Sequence, residues 1–167
     1  MIMNDLSMAN DQINWSCKSF TELTNEELYK ILQLRSAVFV VEQNSVYQDC
    51  DDRDQYSYHL MGWQKEIIVA YSRLIPPGMA YKNASIGRVI TTATLRGKNI
   101  GRELVKLSIK HISELFNEHS ITIGAQLYLK NFYESLGFIE AGDVYLEDGI
   151  KHIEMHLPDI AACNKTA

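Results

Sequence analysis

The segment RGKNIGR, residues 96–102, carries the residue types that bind a phosphate group. An apolar strand pattern at 86–91 precedes it, and a helical pattern follows it. The first turn of a helix exposes backbone N–H groups and a partial positive charge, and glycine lets a phosphate come close to the backbone. The pattern therefore predicts a phosphate site at a helix start. Its candidate residues are Arg96, Gly97, Lys98, Asn99, Ile100, Gly101 and Arg102.

This segment matches neither of the two common phosphate-binding motifs. It lacks the spacing of a dinucleotide fingerprint and the Gly-Lys-Ser/Thr ending of a P-loop. Two alternatives stay open at this point. The loop could be a plain glycine-containing turn that caps a helix, or it could belong to a nucleotide-binding module.

Two other clusters could do chemistry. Along the last strand His152, Glu154 and His156 share one face, where they could bind zinc, but such alternation is usual in edge strands and we predict no metal. The acidic stretch at 49–54 could attract a cationic molecule that accepts a transferred group, but we expect a loop whose charges are only solvated. It fails as an EF-hand because it lacks the required glycine and the terminal Glu. His59 opens a strand and could titrate near neutrality.

Alternating strand and helix patterns must position these residues. Thr24 and Glu27 form a capping-box signature ahead of a helix with a stripe of Leu28, Ile31, Leu32, Arg35, Val38 and Phe39. A second helix buries Leu104, Val105, Ser108, Ile112, Leu115 and Phe116. A third carries Leu129, Phe132, Tyr133 and Leu136. Strand patterns lie near 13–20, 59–64, 66–75, 86–91, 121–126, 138–148 and 152–157. The chain is therefore expected to be an α/β (α+β) domain.

Composition narrows the partners. The 167 residues suit one domain, which we place at 14–158 between a flexible extension (1–13) and a tail (159–167). The net charge of −5 argues against nucleic acid and anionic membranes as partners. The three cysteines are odd in number and widely spaced, which favours reduced thiols in the cytoplasm. No apolar run reaches the ~20 residues of a membrane span.

The phosphate loop and a later segment together resemble the GNAT acetyltransferase superfamily. Its motif A loop reads Q/R-x-x-G-x-G/A, and here Arg96 and Gly101 match the first and last positions. Asn99 replaces the middle glycine, but Asn tolerates a left-handed backbone, so we expect the turn to survive. Residues 132–138, FYESLGF, resemble motif B in the expected order and spacing.

A narrower resemblance is to the ElaA branch of GNAT proteins, and it covers about 15–157. It is carried by VFVVEQ at 38–43, by Tyr47, Asp51, Asp54 and His59, and by segments at 125–126, 132–133 and 145–155. It implies a mixed, mostly antiparallel sheet flanked by helices, with splayed central strands that hold acetyl-CoA. The resemblance also implies that the backbone of Val89, Ile90 and Thr91 pairs with the pantetheine arm. It allows a homodimer.

What the resemblance implies is transfer of an acetyl group to an amine of a small molecule, protein or peptide by direct attack in a ternary complex. Tyr133 would then protonate the leaving thiolate, although an aromatic at that spacing is more often core. An amine with a pKa of ~10.4 needs a base. Glu42, with a raised pKa, is our candidate, and a surface salt bridge is its alternative. His59 and His152 would line the acceptor site. The competing function is an acyl-CoA sensor without catalysis.

Overall fold

The computed structural model describes residues 12–159. Most of the predicted extension and tail lies outside these described residues. The strands are β1 (Asn14–Ser19), β2 (Tyr58–Gln64), β3 (Ile67–Ile75), β4 (Ser85–Thr91), β5 (Ile121–Gln126), β6 (Ile139–Glu147) and β7 (Ile150–Leu157). The α-helices are α1 (Asn25–Arg35), α2 (Ile100–Phe116) and α3 (Lys130–Glu134), and a π-helical segment, Ser36–Glu42, continues α1. Within 12–159 no helix is long and apolar enough to cross a membrane.

Helix α1 begins where the capping-box signature predicts. The Thr24 hydroxyl accepts a hydrogen bond from the Glu27 N–H at 3.1 Å, and the Glu27 carboxylate accepts one from the Thr24 N–H at 2.8 Å. These two bonds satisfy backbone groups that a helix start otherwise leaves unpaired. The apolar stripe then turns Ile31 and Arg35 toward the sheet, and both are fully buried.

Helix α2 covers the sheet with the predicted stripe, apart from one residue. Leu104, Val105, Ser108 and Ile112 are buried. Leu115 is 38% exposed, so its predicted burial is wrong. Phe116 fills that place in the last turn, where its ring packs edge-on against Tyr58 at 5.8 Å.

The strands form two antiparallel sheets that meet at a single point. One has the order β1-β2-β3-β4 and the other β5-β7-β6. They join at an isolated parallel bridge between Ala84 and Ile121, where the Thr122 N–H donates to the Ala84 carbonyl at 3.0 Å. Beyond this bridge β4 and β5 are in no further ladder with each other. The predicted sheet with splayed central strands is therefore confirmed.

Strand β4 contains a bulge close to the opening. Tyr71 pairs with Ile90, and Arg73 pairs with Gly87, so β4 has one residue more than β3 between these pairs. Arg88 lies in the bulge with φ 52°, a left-handed backbone that side chains other than glycine disfavour. Because a bulge bends its strand, it redirects β4 just before residues 89–91.

Candidate functional site

The loop between β4 and α2 has the backbone of an anion-binding turn. Gly97 has φ 78° and Asn99 has φ 64°, both left-handed, and α2 starts at the next residue. The expectation that Asn99 keeps the turn is confirmed. Residues 96–99 are exposed, so the first N–H groups of the 17-residue α2 open onto solvent.

Gly101 is a glycine that the fold itself does not require. Its backbone is not left-handed, since it is absent from the positive-φ glycines. A Cβ built there would lie 3.9 Å from both Phe132 and Thr91, which is ordinary contact. Alanine would also favour the helix more than glycine does. A small residue here therefore keeps space in front of the first turn of α2, which suits a diphosphate that approaches the backbone.

The three basic side chains of the loop do not act together. Arg96 pairs with Glu42, with N–O distances of 2.6 and 2.9 Å. Lys98 is exposed. Arg102 turns away and donates to the hydroxyl of Ser135 at 2.7 Å. The guanidinium of Arg102 ties α2 to the end of α3, and its predicted phosphate contact stays a prediction.

Helix α3 brings motif B against motif A. The Phe132 ring lies beside Gly101, under the guanidinium of Arg102 at 5.9 Å. Tyr133 is 6% exposed, with its ring edge-on to Phe132 at 5.1 Å and to Phe138 at 5.7 Å. Burial raises the pKa of Tyr133, so its hydroxyl keeps its proton at neutral pH. The contacts fit the core alternative, and the catalytic role stays a prediction.

Glu42 differs from the expected buried base. Its side chain is 45% exposed at the end of the π-helical segment. The hydrogen bond from Arg96 lowers the pKa of Glu42, so the predicted raised pKa is wrong. A carboxylate that is ionised and paired with a guanidinium is a weak base. Its contacts are those of the surface salt-bridge alternative.

His59 is a core residue. It is fully buried, its Nε2 lies 3.1 Å from the Asp54 carbonyl and its Nδ1 lies 2.8 Å from the Tyr71 hydroxyl. Because a carbonyl only accepts, Nε2 carries the proton and the Tyr71 hydroxyl donates to Nδ1. Burial lowers the pKa of His59. The prediction that it titrates near neutrality is wrong, and a fully buried ring does not line an acceptor site.

His152 lies on the open face of the second sheet. Its half-buried ring stacks on Tyr145 at 5.8 Å, and its Nδ1–H donates to the Ile150 carbonyl at 2.9 Å. Its register partner Gln126 ends β5 at the splayed opening. The predicted acceptor contact and the strand-end hydrogen bond are both compatible with this position. Across residues 12–159 no group of three or more His, Cys, Asp or Glu side chains is placed to hold a metal ion.

Comparison with known proteins agrees with this geometry. A family model described as an acetyltransferase (GNAT) domain matches residues 20–158. This chain belongs to the GNAT family. ElaA from Escherichia coli K12 is 41% identical to this GNAT domain over 145 residues, which span 86% of the chain and 95% of ElaA.

Solved structures show the same relationship. The crystal structure of E. coli ElaA has a TM-score of 0.83 at 40% identity, covering 88% of this chain and all of that one. An acyl-CoA N-acyltransferase from Pseudomonas aeruginosa has a TM-score of 0.84 at 37% identity, with the same coverage. An aminoglycoside 6′-N-acetyltransferase complexed with coenzyme A, at 15% identity, shares the fold (TM-score 0.62, covering 84% of this chain and 95% of that one).

The acidic stretch of this GNAT domain is a buried charge network rather than a solvated loop, so that expectation is wrong. Arg35 is fully buried and Arg73 is 1% exposed. Five ion pairs of the network lie between 2.6 and 2.8 Å, and Arg88–Asp51 is longer at 3.6 Å; the five are Arg35–Asp49, Arg35–Asp54, Arg73–Asp51, Arg73–Asp54 and Arg88–Asp49. Three arginines thus balance three aspartates inside the domain.

The sequence contains the signal for this network. Arg35 lies on the apolar stripe of the first helix, and Arg73 lies inside the apolar strand at 67–75. A buried guanidinium needs a carboxylate partner. The nearby aspartates of the acidic stretch are the matching set. The negative charge of the stretch, considered without these arginines, does not reveal the ion pairs.

The network also weakens the acidic stretch as an attractor of cations, although Asp52 stays exposed outside the network. Burial alone would raise the pKa of Asp51, but hydrogen bonds and charge attraction from Arg73 lower it to about 2. Burial alone would also raise the pKa of Asp54, but the charges and hydrogen bonds of Arg35 and Arg73 lower it. Both carboxylates are therefore ionised at neutral pH and already paired, which leaves little negative field for a cationic acceptor.

Proposed function

We propose that this GNAT domain transfers an acetyl group from acetyl-CoA to an amine of a small molecule, protein or peptide, by direct attack in a ternary complex. The observation that carries the proposal is the space in front of Gly101. It lies at an exposed helix start, follows a left-handed turn and is close to the splayed strands. The Pseudomonas relative, named for acyl-CoA N-acyl transfer, supports the same class of reaction.

The residues present fit acetyl-CoA in two places. Backbone N–H groups of residues 97–101 would hold the diphosphate, helped by Lys98 and Arg96. β4 uses one edge to pair with β3, whereas its other edge meets β5 only at Ala84. The backbone of Val89, Ile90 and Thr91 is thus available to the pantetheine arm. When bound, the thioester supplies the acyl group.

The proton transfers are assigned to this chain's own side chains. Tyr133 is our proposed donor to the leaving thiolate, although burial raises its pKa and so makes it a weaker acid than an exposed tyrosine. Glu42 stays the proposed base, but it is the weaker assignment because Arg96 holds it ionised and paired. His152, on the open sheet face, is proposed to contact the acceptor.

A second candidate function has a specific observation in its favour. Glu42, the predicted base, has a lowered pKa, and His59, which was predicted to titrate near neutrality, is buried. A domain without a placed base suits an acyl-CoA sensor or scaffold. Thiol release measured with a panel of amines separates the two functions. Turnover with any amine supports the enzyme, and acetyl-CoA binding without turnover on the whole panel supports the sensor.

Calorimetry with acetyl-CoA and with ATP tests the ligand itself. We expect binding of acetyl-CoA and none of ATP, because the loop lacks the Gly-Lys-Ser/Thr ending. Tight binding of ATP without binding of acetyl-CoA would overturn the proposal in favour of a nucleotide module.

Substitution of Gly101 by alanine tests the site without relying on turnover. The fold accommodates a Cβ there, and alanine stabilises a helix by about 0.8–1 kcal/mol over glycine. We expect an unchanged or raised melting temperature together with weaker acetyl-CoA binding in calorimetry. Unchanged affinity would show that the space in front of Gly101 is not used by the ligand.

Substitution of Tyr133 by phenylalanine tests the proposed donor. Loss of one general acid lowers turnover by roughly 10²-fold, whereas acetyl-CoA affinity should hardly change because the ring contacts remain. The measurement is kcat with the best amine of the panel, beside a calorimetric Kd. Wild-type turnover in this variant would remove Tyr133 from the mechanism.

We further propose that the protein works in the cytoplasm, which the free thiols of Cys17 and Cys50 support. A homodimer stays a prediction.

A further inference from the structure

One short segment touches both sides of the splayed opening. Residues 43–49, which we name the brace, follow the π-helical segment. The Gln126 side-chain Nε2, at the end of β5, donates to the side-chain Oε1 of Gln43 at 3.2 Å. The Ser45 hydroxyl donates to the carbonyl of Asp148, in the turn between β6 and β7, at 3.1 Å. The brace is therefore attached at its beginning to the second sheet.

Its far end is attached to β4, in the first sheet. Arg88 donates through Nε to the Asp49 carboxylate at 2.7 Å and through Nη2 to the Asp49 carbonyl at 3.1 Å. The same carboxylate accepts from Arg35 at 2.7 Å and from the Tyr47 hydroxyl at 3.0 Å. Asp49 is only 10% exposed, so this anchor is shielded from water.

The residue that Asp49 holds is the strained one. Arg88 has φ 52° in the bulge of β4, although Gly87, which tolerates such a backbone better, is its neighbour. Strain of this kind persists only where surrounding contacts hold it. The hydrogen bonds from the Arg88 guanidinium to Asp49 are such contacts. The guanidinium also packs over the rings of Phe39 and Tyr47, with its carbon 5.8 Å from the centre of each ring.

Among residues 12–159 the two sheets share one backbone bridge, between Ala84 and Ile121, at one end of the opening. Away from that bridge, the brace contacts both β4 and β5. We propose that Asp49 and Arg88 are positioning residues: through them the brace fixes the bulge of β4 and the separation of β4 from β5, and so holds residues 89–91 ready for acyl-CoA. This role rests on the proposed function only for the identity of the ligand.

Two substitutions of Arg88 test the anchor. Arg88→Gly removes the side chain and relieves the backbone strain, whereas Arg88→Lys keeps one charged contact to Asp49. We expect Arg88→Gly to weaken acetyl-CoA binding roughly tenfold, because misplacing binding groups by about 1 Å can cost up to 10²-fold. Arg88→Lys should fall between Arg88→Gly and the wild type. Wild-type affinity in Arg88→Gly would overturn the proposal.

Asp54→Asn is the matched control. Asp54 bonds Arg35 and Arg73 in the same network, but it has no hydrogen bond to Arg88. We expect this variant to lose thermal stability while it keeps its acetyl-CoA affinity. If Asp54→Asn weakened binding as much as Arg88→Gly does, the effect would be one of general stability and the positioning role would be wrong.

Amide hydrogen exchange of residues 89–91, measured without acetyl-CoA, tests the brace independently of the ligand. Exchange there should be faster in Arg88→Gly and should stay at the wild-type rate in Asp54→Asn. If the wild type bound no acetyl-CoA, the proposed function would fail, and this exchange result alone would decide on the brace. Wild-type exchange rates in Arg88→Gly would overturn it.

Discussion

The buried ion pairs of this domain and its exposed Arg96–Glu42 pair have similar N–O distances but opposite surroundings. Arg35 and Arg73 pair with aspartates at 2.6–2.8 Å inside the protein, where the guanidinium side chains are at most 1% exposed. Arg96 pairs with Glu42 at 2.6 Å beside the cofactor loop, where both side chains are 45% exposed. Distance alone would rank these pairs as equals.

Burial makes the two kinds of ion pair contribute differently to stability. An exposed pair gains little, because water and salt screen both charges whether or not they meet. A buried pair has lost its water, so removal of one partner leaves a charge with nothing to stabilise it. The first group therefore holds loop, helix and strand in one arrangement. The second can exchange its partner at low cost, which the phosphate contact that we propose for Arg96 requires.

Among substitutions that test this difference, Arg35→Ala should change the free energy of unfolding most. It leaves Asp49 with only Arg88 and Asp54 with only Arg73, so that two guanidinium groups face three carboxylates, which should cost about 3–5 kcal/mol of unfolding free energy. Denaturant unfolding followed by circular dichroism gives the number. A loss below about 1 kcal/mol, typical of a surface pair, would show that the network is not a stabilising unit.

The pH dependence of stability sharpens the contrast. Burial lowers the pKa of His59 in the folded protein, so below about pH 6.5 the unfolded chain takes up this proton first. Stability from this group is present above that pH and is lost as the pH falls through it. The wild-type melting temperature should drop between pH 8 and pH 5.5. In His59→Gln the drop should be smaller, and an equal drop would assign it to other groups.

Asn99 tests the backbone of the exposed region. Its side chain makes no capping hydrogen bond, so the left-handed φ of 64° is its main constraint. Asn99→Ala should cost about 1 kcal/mol, because asparagine tolerates a left-handed backbone better than alanine does, and Asn99→Gly should be neutral or stabilising, because glycine has no Cβ. Thermal unfolding of both variants gives the comparison. Equal stability of the two would contradict the requirement for a left-handed turn.

The smallest expected effect is the coupling of Arg96 to Glu42. A double-mutant cycle with Arg96→Ala and Glu42→Ala should give a coupling of roughly 0.5 kcal/mol, falling with added salt, because both side chains are largely exposed. Denaturant unfolding at low and high salt measures it. A coupling above about 2 kcal/mol would place this pair with the buried group and weaken the contrast.

Much of the fold was predictable because its signals are local. Thr24 and Glu27 cap α1 as their spacing predicts, and the strand patterns fall on β1 to β7. Motif order along the chain was enough to predict the family, which the comparisons confirm. The turn before α2 was predictable for the same reason, since Gly97 and Asn99 form it through their own left-handed backbone, and its phosphate-binding role stays a prediction.

The misplaced site residues depended on partners far away in sequence. His59 became a neutral core residue because Tyr71 and the Asp54 carbonyl enclose it. Glu42 lost its expected high pKa to Arg96, 54 residues away in sequence. A titratable side chain takes its pKa from neighbours that only the packed structure brings together.

The sequence by itself determined the family, the element order and the glycine-containing loop at the start of α2, because each of these depends on residues that are neighbours in the chain. Only the tertiary structure decided which charges are free. It turned Asp49, Asp51 and Asp54 inward onto three arginines, and it placed Arg88 of β4 under strain beside the splayed opening. The physical reason is burial, which makes a charge depend on its partner, and burial is a property of the packed chain.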